Sequence, residues 1–314
     1  MTNRGKIIYY FSIIIIFLIS LEFYLFNKYR QEYLAELDKT NFNLSREFNY
    51  KLTYSNFVNT IKDKYFFRQP VNFGNNHNII TFGCSFAFGS SLNVEQTFWY
   101  KLAQRTGSSV TNRAYPGIGN AFMLYQTENK NPNYSLDLIN GDVDTIIYIY
   151  IPDHLYRLNY YYWANLYKNV LTLRYKLVKN QNETKLKEDK LLLPPLHVFF
   201  ITKSIYNYIA NQKNSDKNKA KNYELLFKIF EESHKNLIKR YPNSKFIIIE
   251  YNNTTLMPYK ETLKKAGWEL YSTNDIIDEN IDLNDEKYHF KNDCHPTEEA
   301  WDVIVDGIIK NNII

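Results

Sequence analysis

The run Thr145–Ile151 reads Thr-Ile-Ile-Tyr-Ile-Tyr-Ile, with no charge and no break in its β-branched and aromatic content. A strand with one wet face alternates polar and apolar residues. A strand that is apolar throughout has to be covered on both faces, as in a parallel sheet between two layers of helices. The rest of the chain follows that plan. Ile79–Phe82, Val110–Ala114, Phe246–Glu250 and Trp268–Tyr271 read as further short strands. Helical spacing intervenes at 95–106, 119–129, 220–240, 259–266 and 297–310, with Gly107 and Gly267 as stops and Thr297 as a cap ahead of Glu298 and Glu299. Strands alternating with helices predict an α/β fold with a doubly wound parallel sheet, whose ligands bind at the carboxyl ends of the strands.

Two short stretches carry the chemistry. In Ile79-Ile80-Thr81-Phe82-Gly83-Cys84-Ser85-Phe86-Ala87-Phe88-Gly89 an apolar strand runs into a glycine, and a helical pattern follows Ser85. That places a hydroxyl on a strand-to-helix turn beside backbone N–H groups. Near the other end, Asn292-Asp293-Cys294-His295-Pro296 holds an imidazole with a carboxylate two residues before it. Serine, base and orienting acid are the parts of a nucleophilic hydrolase. Each also has a plainer reading: a turn serine, a histidine preceding a helix, a turn aspartate.

The ordered blocks resemble the SGNH (GDSL-type) hydrolase superfamily, in the form whose first block reads Gly-Cys-Ser-Phe. Asn112-Arg113-Ala114-Tyr115-Pro116-Gly117 is similar to the second block, and Tyr148-Ile149-Tyr150-Ile151-Pro152-Asp153-His154 stands where the third block's Gly-x-Asn-Asp falls. The likeness runs from about residue 78 to 312. It implies a flavodoxin-like three-layer sandwich and an esterase acting on ester-linked acyl groups. In that reading Ser85 is the nucleophile, His295 the base and Asp293 the orienting acid, with no metal or other cofactor. The backbone N–H groups of Ser85 and Gly117 form the oxyanion hole. Asn292 is the alternative orienting group under the family's commoner three-residue spacing. Two departures stand out. Cys84 replaces the aspartate that braces the first turn, and Pro152 occupies the register of the third block's asparagine, so an oxyanion donor is missing there. Asn120 and His154 are the candidates to replace it, each with the alternative of a structural polar residue. Two other readings use the same scaffold: an O-acyltransferase, and a catalytically weak glycan-binding or assembly protein.

Composition narrows the partners. The net charge of +5 over 314 residues is modest, and Lys and Arg form no stripe with a nucleic-acid motif, so no nucleic-acid partner is expected. Two cysteines are too few for a disulfide framework or a zinc site, although a Ser85–His295 pairing would bring Cys84 and Cys294 into one neighbourhood. Residues Ile7 to Phe26 are apolar apart from Glu22 near one end, long enough to cross a bilayer, and no small-residue cleavage pattern follows them. The expected organisation is therefore a transmembrane anchor at 1–29, a juxtamembrane helical stalk at 30–77, and an SGNH-like domain at 78–314 with an insertion at about 155–218. The expected placement is a single-pass protein of the inner or cytoplasmic membrane, the domain facing the periplasm or exterior. An acylated small molecule, glycan or lipid is the expected substrate. The oligomeric state is not legible.

Overall fold

The computed structural model describes Phe67 and Arg68, residues 70–129, 135–136, 139, 141–158, 175–179, 184–188, 216–291 and 293–314, and isolated residues at 10, 17 and 20. The chain divides into two compact units, residues 1–51 with 191–215, and residues 52–190 with 216–314. In the first, only Tyr10, Phe17 and Ser20 are described, each helical. No helix among the described residues is long and apolar enough to cross a membrane. Most of the apolar segment Ile7 to Phe26 lies outside those residues, as does most of the expected stalk.

The second unit is built on a six-stranded sheet. In chain order its elements are β1 (Val71–Asn72), β2 (Asn78–Phe82), α1 (Ser85–Phe88), α2 (Phe98–Thr106), β3 (Ser109–Asn112), α3 (Asn120–Thr127), β4 (Thr145–Tyr150), α4 (Asp153–Arg157), the hairpin strands β5 (Tyr175–Lys179) and β6 (Thr184–Glu188), α5 (Asp216–Arg240), β7 (Lys245–Glu250), α6 (Lys260–Lys265), β8 (Glu269–Ser272), α7 (Thr273–Ile276) and α8 (Glu298–Lys310). The sheet order is β1-β3-β2-β4-β7-β8. All pairings are parallel except that of the two-residue β1, which runs antiparallel to β3 with Val71 opposite Val110. The architecture is mixed α/β with a mostly parallel central sheet. Its edge strand β1 lies ahead of residue 78, within the stretch expected as a helical stalk.

Why the faces are both covered follows from β4. All six of its residues are buried. Ile147 and Ile149 point into one core with Trp99, Leu102, Trp301 and Ile304, between the sheet and the α2 and α8 helices. Ile146, Tyr148 and Tyr150 point into the other with Leu226, Phe230, Leu237 and Trp268, under α5. Strand alternation thus splits one apolar run between two cores. Ion pairs lock α2 to α8: Lys101 reaches Glu298 and Asp302 at 2.8 Å each, and Arg105 reaches Asp306 at 2.7 Å and also pairs with Asp302. Within the expected insertion β5 pairs with β6 as an antiparallel hairpin, and Leu177 and Leu186 pack on the α5 side.

β2 lies between β3, which follows it, and β4, which comes after that. The winding therefore reverses at β2, and the carboxyl end of such a strand is where open α/β sheets place their ligands. Ser85 follows β2 by three residues.

Candidate active site

The turn after β2 is set by backbone crowding. Gly83 has φ +147°, and a Cβ there would lie 2.8 Å from the Ala87 Cβ and 2.9 Å from the Ile149 carbonyl oxygen. Only glycine lets the strand pass so close to β4 before turning into α1. Cys84 then caps α1 in an extended conformation, and Ser85 is its first residue. A first-turn N–H has no partner within its own helix, so the Ser85 amide is a donor by position. After one turn Gly89, at φ +76°, closes the helix: the N–H groups of Gly89 and Ser90 donate to the Ser85 carbonyl at 3.0 and 2.9 Å.

His295 arrives from the segment before α8. His289 and Pro296 form an antiparallel bridge, Phe290 N donates to the His295 carbonyl at 3.1 Å, and Asp293 N donates to the Phe290 carbonyl at 2.9 Å. This narrow loop presents Asp293, Cys294 and His295 at its turn. Thr297 anchors its base through Oγ1 to the Lys287 carbonyl at 2.7 Å, and the same oxygen caps α8 by accepting from Ala300 N.

The two segments meet. Ser85 Oγ lies 2.6 Å from His295 Nε2, and His295 Nδ1 is hydrogen-bonded to Asp293 Oδ1. The same carboxylate oxygen accepts the His295 backbone N–H at 3.2 Å. Partial burial pushes the Asp293 pKa up. The His295 hydrogen bond and charge, with the backbone N–H groups of His295 and Cys294, outweigh that push and hold it below the usual carboxylate value. An ionised Asp293 favours the proton on Nδ1, which leaves Nε2 free to accept from the serine hydroxyl. Phe86 lies against the imidazole at 5.0 Å between ring centroids, and Tyr251 backs Phe86 at 5.2 Å. Ser85 is 9% exposed, so the hydroxyl is screened from bulk water and still reachable. Asn292, the alternative orienting group, lies outside the described residues.

Both cysteines are free; Cys84 is buried and Cys294 exposed. Partial burial of the sulfur, then the charge of Asp293 with smaller effects from Asp153 and Cys84, holds the Cys294 thiol above its ordinary pKa.

The loop after β3 is stitched to the same turn. Tyr115 N donates to the Gly83 carbonyl at 3.1 Å, and Asn112 bridges the two segments, donating to the Ala87 carbonyl at 3.0 Å while accepting from Ala114 N at 2.9 Å. Gly117 sits at φ +76° in this loop. From α4, Arg157 holds the next residue through a 3.1 Å bond to the Ile118 carbonyl and reaches Asp153 at 3.1 Å. His154 packs beside Gly119, where an added Cβ would come within 3.4 Å of its ring. Asn120 opens α3 at 1% exposure, and neither its amide nitrogen nor its carbonyl oxygen has a partner among the described residues. His154 is fully buried. Its Nδ1 meets the Tyr148 hydroxyl at 3.0 Å, and its Nε2 has no partner among the described residues. Burial, and next the Arg157 charge, drives its pKa well below the ordinary histidine value, so the ring is neutral. In the tautomer whose Nδ1 accepts from the Tyr148 hydroxyl, the proton sits on Nε2.

Two residues that the sequence did not mark also brace the site. Arg68 Nη2 donates to the carbonyls of Gly89 and Leu92 at 2.9 and 3.0 Å, tying the segment ahead of β1 to the loop that closes α1. Phe67 fits between Tyr115 and Phe122, with the Arg113 guanidinium 3.8 Å over its ring. Neither leaves a periodic signal, because one binds carbonyls and the other fills a gap between loops. Two clefts, of about 610 and 430 Å³, lie along α5 and the β5–β6 hairpin, and none of Ser85, Asp293 and His295 lines either.

No protein-family model and no curated protein matches the chain. Among solved structures it is similar to a carbohydrate esterase, at 12% identity and TM-score 0.44, over 78% of this chain and 67% of that one. An acetyl xylan esterase from the rumen bacterium Butyrivibrio proteoclasticus is similar at 10% identity and TM-score 0.43, over 78% and 64%. A salicylyl-acyltransferase from a tetracycline biosynthetic pathway is similar at 10% identity and TM-score 0.40, over 76% and 55%. These likenesses are distant.

Proposed function

We propose that this chain is a serine esterase of the SGNH type that removes an ester-linked acyl group through Ser85, His295 and Asp293. The observation that carries the reading is the unbroken hydrogen-bonded series from Asp293 through His295 to the Ser85 hydroxyl, 2.6 Å from Nε2. In this mechanism Ser85 Oγ attacks the ester carbonyl and its proton passes to His295 Nε2. Asp293 holds the Nδ1–H and stabilises the imidazolium that forms. The imidazolium then protonates the leaving alcohol, and a water activated by the same base releases the acid. The backbone N–H groups of Ser85 and Gly117 face the oxyanion. Asn120 supplies the side-chain donor in place of Pro152, with the His154 Nε2–H beside it. Each such donor lowers the barrier by about 3 kcal/mol. The apolar segment Ile7 to Phe26 supports a membrane-anchored protein; with its domain placed outside the cytoplasmic membrane, an acylated glycan or lipid of the envelope is the substrate.

The test is fluorophosphonate labelling of the full-length chain, comparing wild type with Ser85→Ala and His295→Ala. Labelling of wild type that vanishes in both variants supports the reading. A folded wild-type chain that takes up no label overturns it.

A further inference from the structure

We infer that Asp293, Cys294 and His295 form an inhibitory site for a thiophilic divalent cation such as Zn²⁺, an inference that rests on the esterase reading for its consequence but not for its test. One ligand atom from each of the three residues lies within 4.8 Å of the other two. Two cysteines are too few for a site of thiolates alone, but carboxylate oxygen, thiolate sulfur and imidazole nitrogen are all zinc ligands, at about 2.0–2.3 Å, so one cysteine serves where Asp293 and His295 stand beside it. Donor atoms around a tetrahedral ion of that size stand about 3.3–3.8 Å apart, so the Asp293–His295 contact, now a direct hydrogen bond, has to open to admit the ion while the widest separation closes. Cys294 is exposed and free, and its side chain can close in without disturbing either core. Water completes the coordination.

The consequence comes from which imidazole nitrogen is used. The nitrogen on the Asp293 side is Nδ1. In the active arrangement Nδ1 carries the proton and Nε2 offers its lone pair to Ser85. A cation on Nδ1 needs that lone pair, so the ring proton moves to Nε2. An Nε2–H can only donate to Ser85 Oγ and cannot take the hydroxyl proton. The proton balance is simple: Cys294 gives its thiol proton to solvent, His295 keeps one proton on the other nitrogen, Asp293 is already ionised, and nothing is oxidised or reduced. The cation thus disables the base by inverting its tautomer, and the residue that makes this available is the cysteine set between acid and base.

Two readouts test the inference on the full-length chain. Co²⁺ titrated into wild type is expected to give the near-ultraviolet thiolate-to-cobalt absorption, absent in Cys294→Ser and Cys294→Ala. Co²⁺ that binds without this band, or with a band that survives both substitutions, overturns the site. Zn²⁺ is expected to suppress fluorophosphonate labelling reversibly, with chelator restoring it. Measured as the ratio of labelling with and without metal, the midpoint should move by about 100-fold in the Cys294 variants. An unchanged midpoint also overturns the inference. Absence of labelling in the metal-free chain tells against the esterase reading alone, and the cobalt band still decides this site.

Discussion

Replacing Gly83 by alanine puts a methyl group where two parts of the protein leave no room. The added Cβ would lie 2.8 Å from the Ala87 Cβ and 2.9 Å from the Ile149 carbonyl oxygen, whereas carbon atoms settle at about 3.5–4.0 Å. The Ile149 carbonyl belongs to β4, which is paired to β7 on one side and to β2 on the other over most of its length, so it cannot retreat. α1 must move instead, by most of an ångström, and it carries Ser85. The backbone term adds to this, since φ +147° strains any side chain. Strain of about 1–3 kcal/mol plus overpacking of about 1–3 kcal/mol gives a loss of about 2–6 kcal/mol. For a domain of this size each kcal/mol lowers Tm by about 2–4 °C. A displacement near 1 Å costs about 100-fold in rate, so the label should enter Ser85 far more slowly even in the folded fraction. Gly141→Ala is the control. It shares a positive φ of +88°, but its Cβ would meet only Asn78 Nδ2 at 3.9 Å, so strain acts there without overpacking. Thermal unfolding and fluorophosphonate labelling rates of both variants decide the matter. If Gly83→Ala unfolds at the same temperature as Gly141→Ala and labels at the wild-type rate, the close approach to β4 does not position the serine.

Asp293→Asn should slow labelling by about 10²–10⁴-fold, because the amide no longer fixes the Nδ1–H tautomer. The Asp293 pKa is depressed in the folded chain, so its contribution to stability is present above the unfolded carboxylate value and is lost as pH falls through the lower folded one. Acid unfolding of the variant should lack that component, and identical acid profiles would count against the pairing. Arg68→Met removes two charge-assisted bonds to the Gly89 and Leu92 carbonyls. Burial has already pushed the Arg68 pKa down to about 10, which offsets part of their worth, so a net loss of about 1–3 kcal/mol in urea unfolding is expected. A gain in stability would refute the bracing role. Asn120→Ala should leave Tm unchanged or raise it, since a buried amide with no partner among the described residues is already costly, while labelling falls by about 10²–10³-fold. A stabilised variant that labels at the wild-type rate would make Asn120 a structural orphan with no part in the oxyanion hole.

The sheet was legible where burial on both faces left no polar alternation, as in β4 and β7, and the helices were legible where a stop or cap marked an end, as Gly107 does for α2 and Thr297 for α8. Boundaries failed where local hydrogen bonding overrode spacing. The helical pattern from Glu95 breaks at Thr97, which is extended, because Asn93 N bonds the Gln96 side chain at 3.0 Å and closes a separate 3-10 turn ahead of α2. Val71–Asn72 was invisible as a strand, since two residues carry no period. The bracing role of Arg68 was invisible for a different reason: a guanidinium that binds carbonyls needs no partner side chain, so nothing in the sequence answers to it.

The serine, imidazole and carboxylate were legible because each sits within a short block whose order along the chain survives folding. The proposed oxyanion hole keeps only part of such a block, because Gly117 lies in the second one and Pro152 breaks the third. It is assembled from the turn after β2, the loop after β3 and the helix after β4, and which side chain completes it depends on how those three lie together. Pro152 closes the usual route. What remains is a loop fastened to the serine turn by Tyr115 and Gly83 and to α4 by Arg157, with an amide at Asn120 and an imidazole nitrogen at His154, near Gly119, that have no partner among the described residues. Each buried group left without a partner costs about 1–3 kcal/mol. Two such costs side by side are hard to explain as packing, where apolar residues of similar size would serve better. Under the proposed esterase reading they are donors set in advance for a charge that exists only during reaction, because the electrostatic gain then comes without reorganisation at the moment of attack.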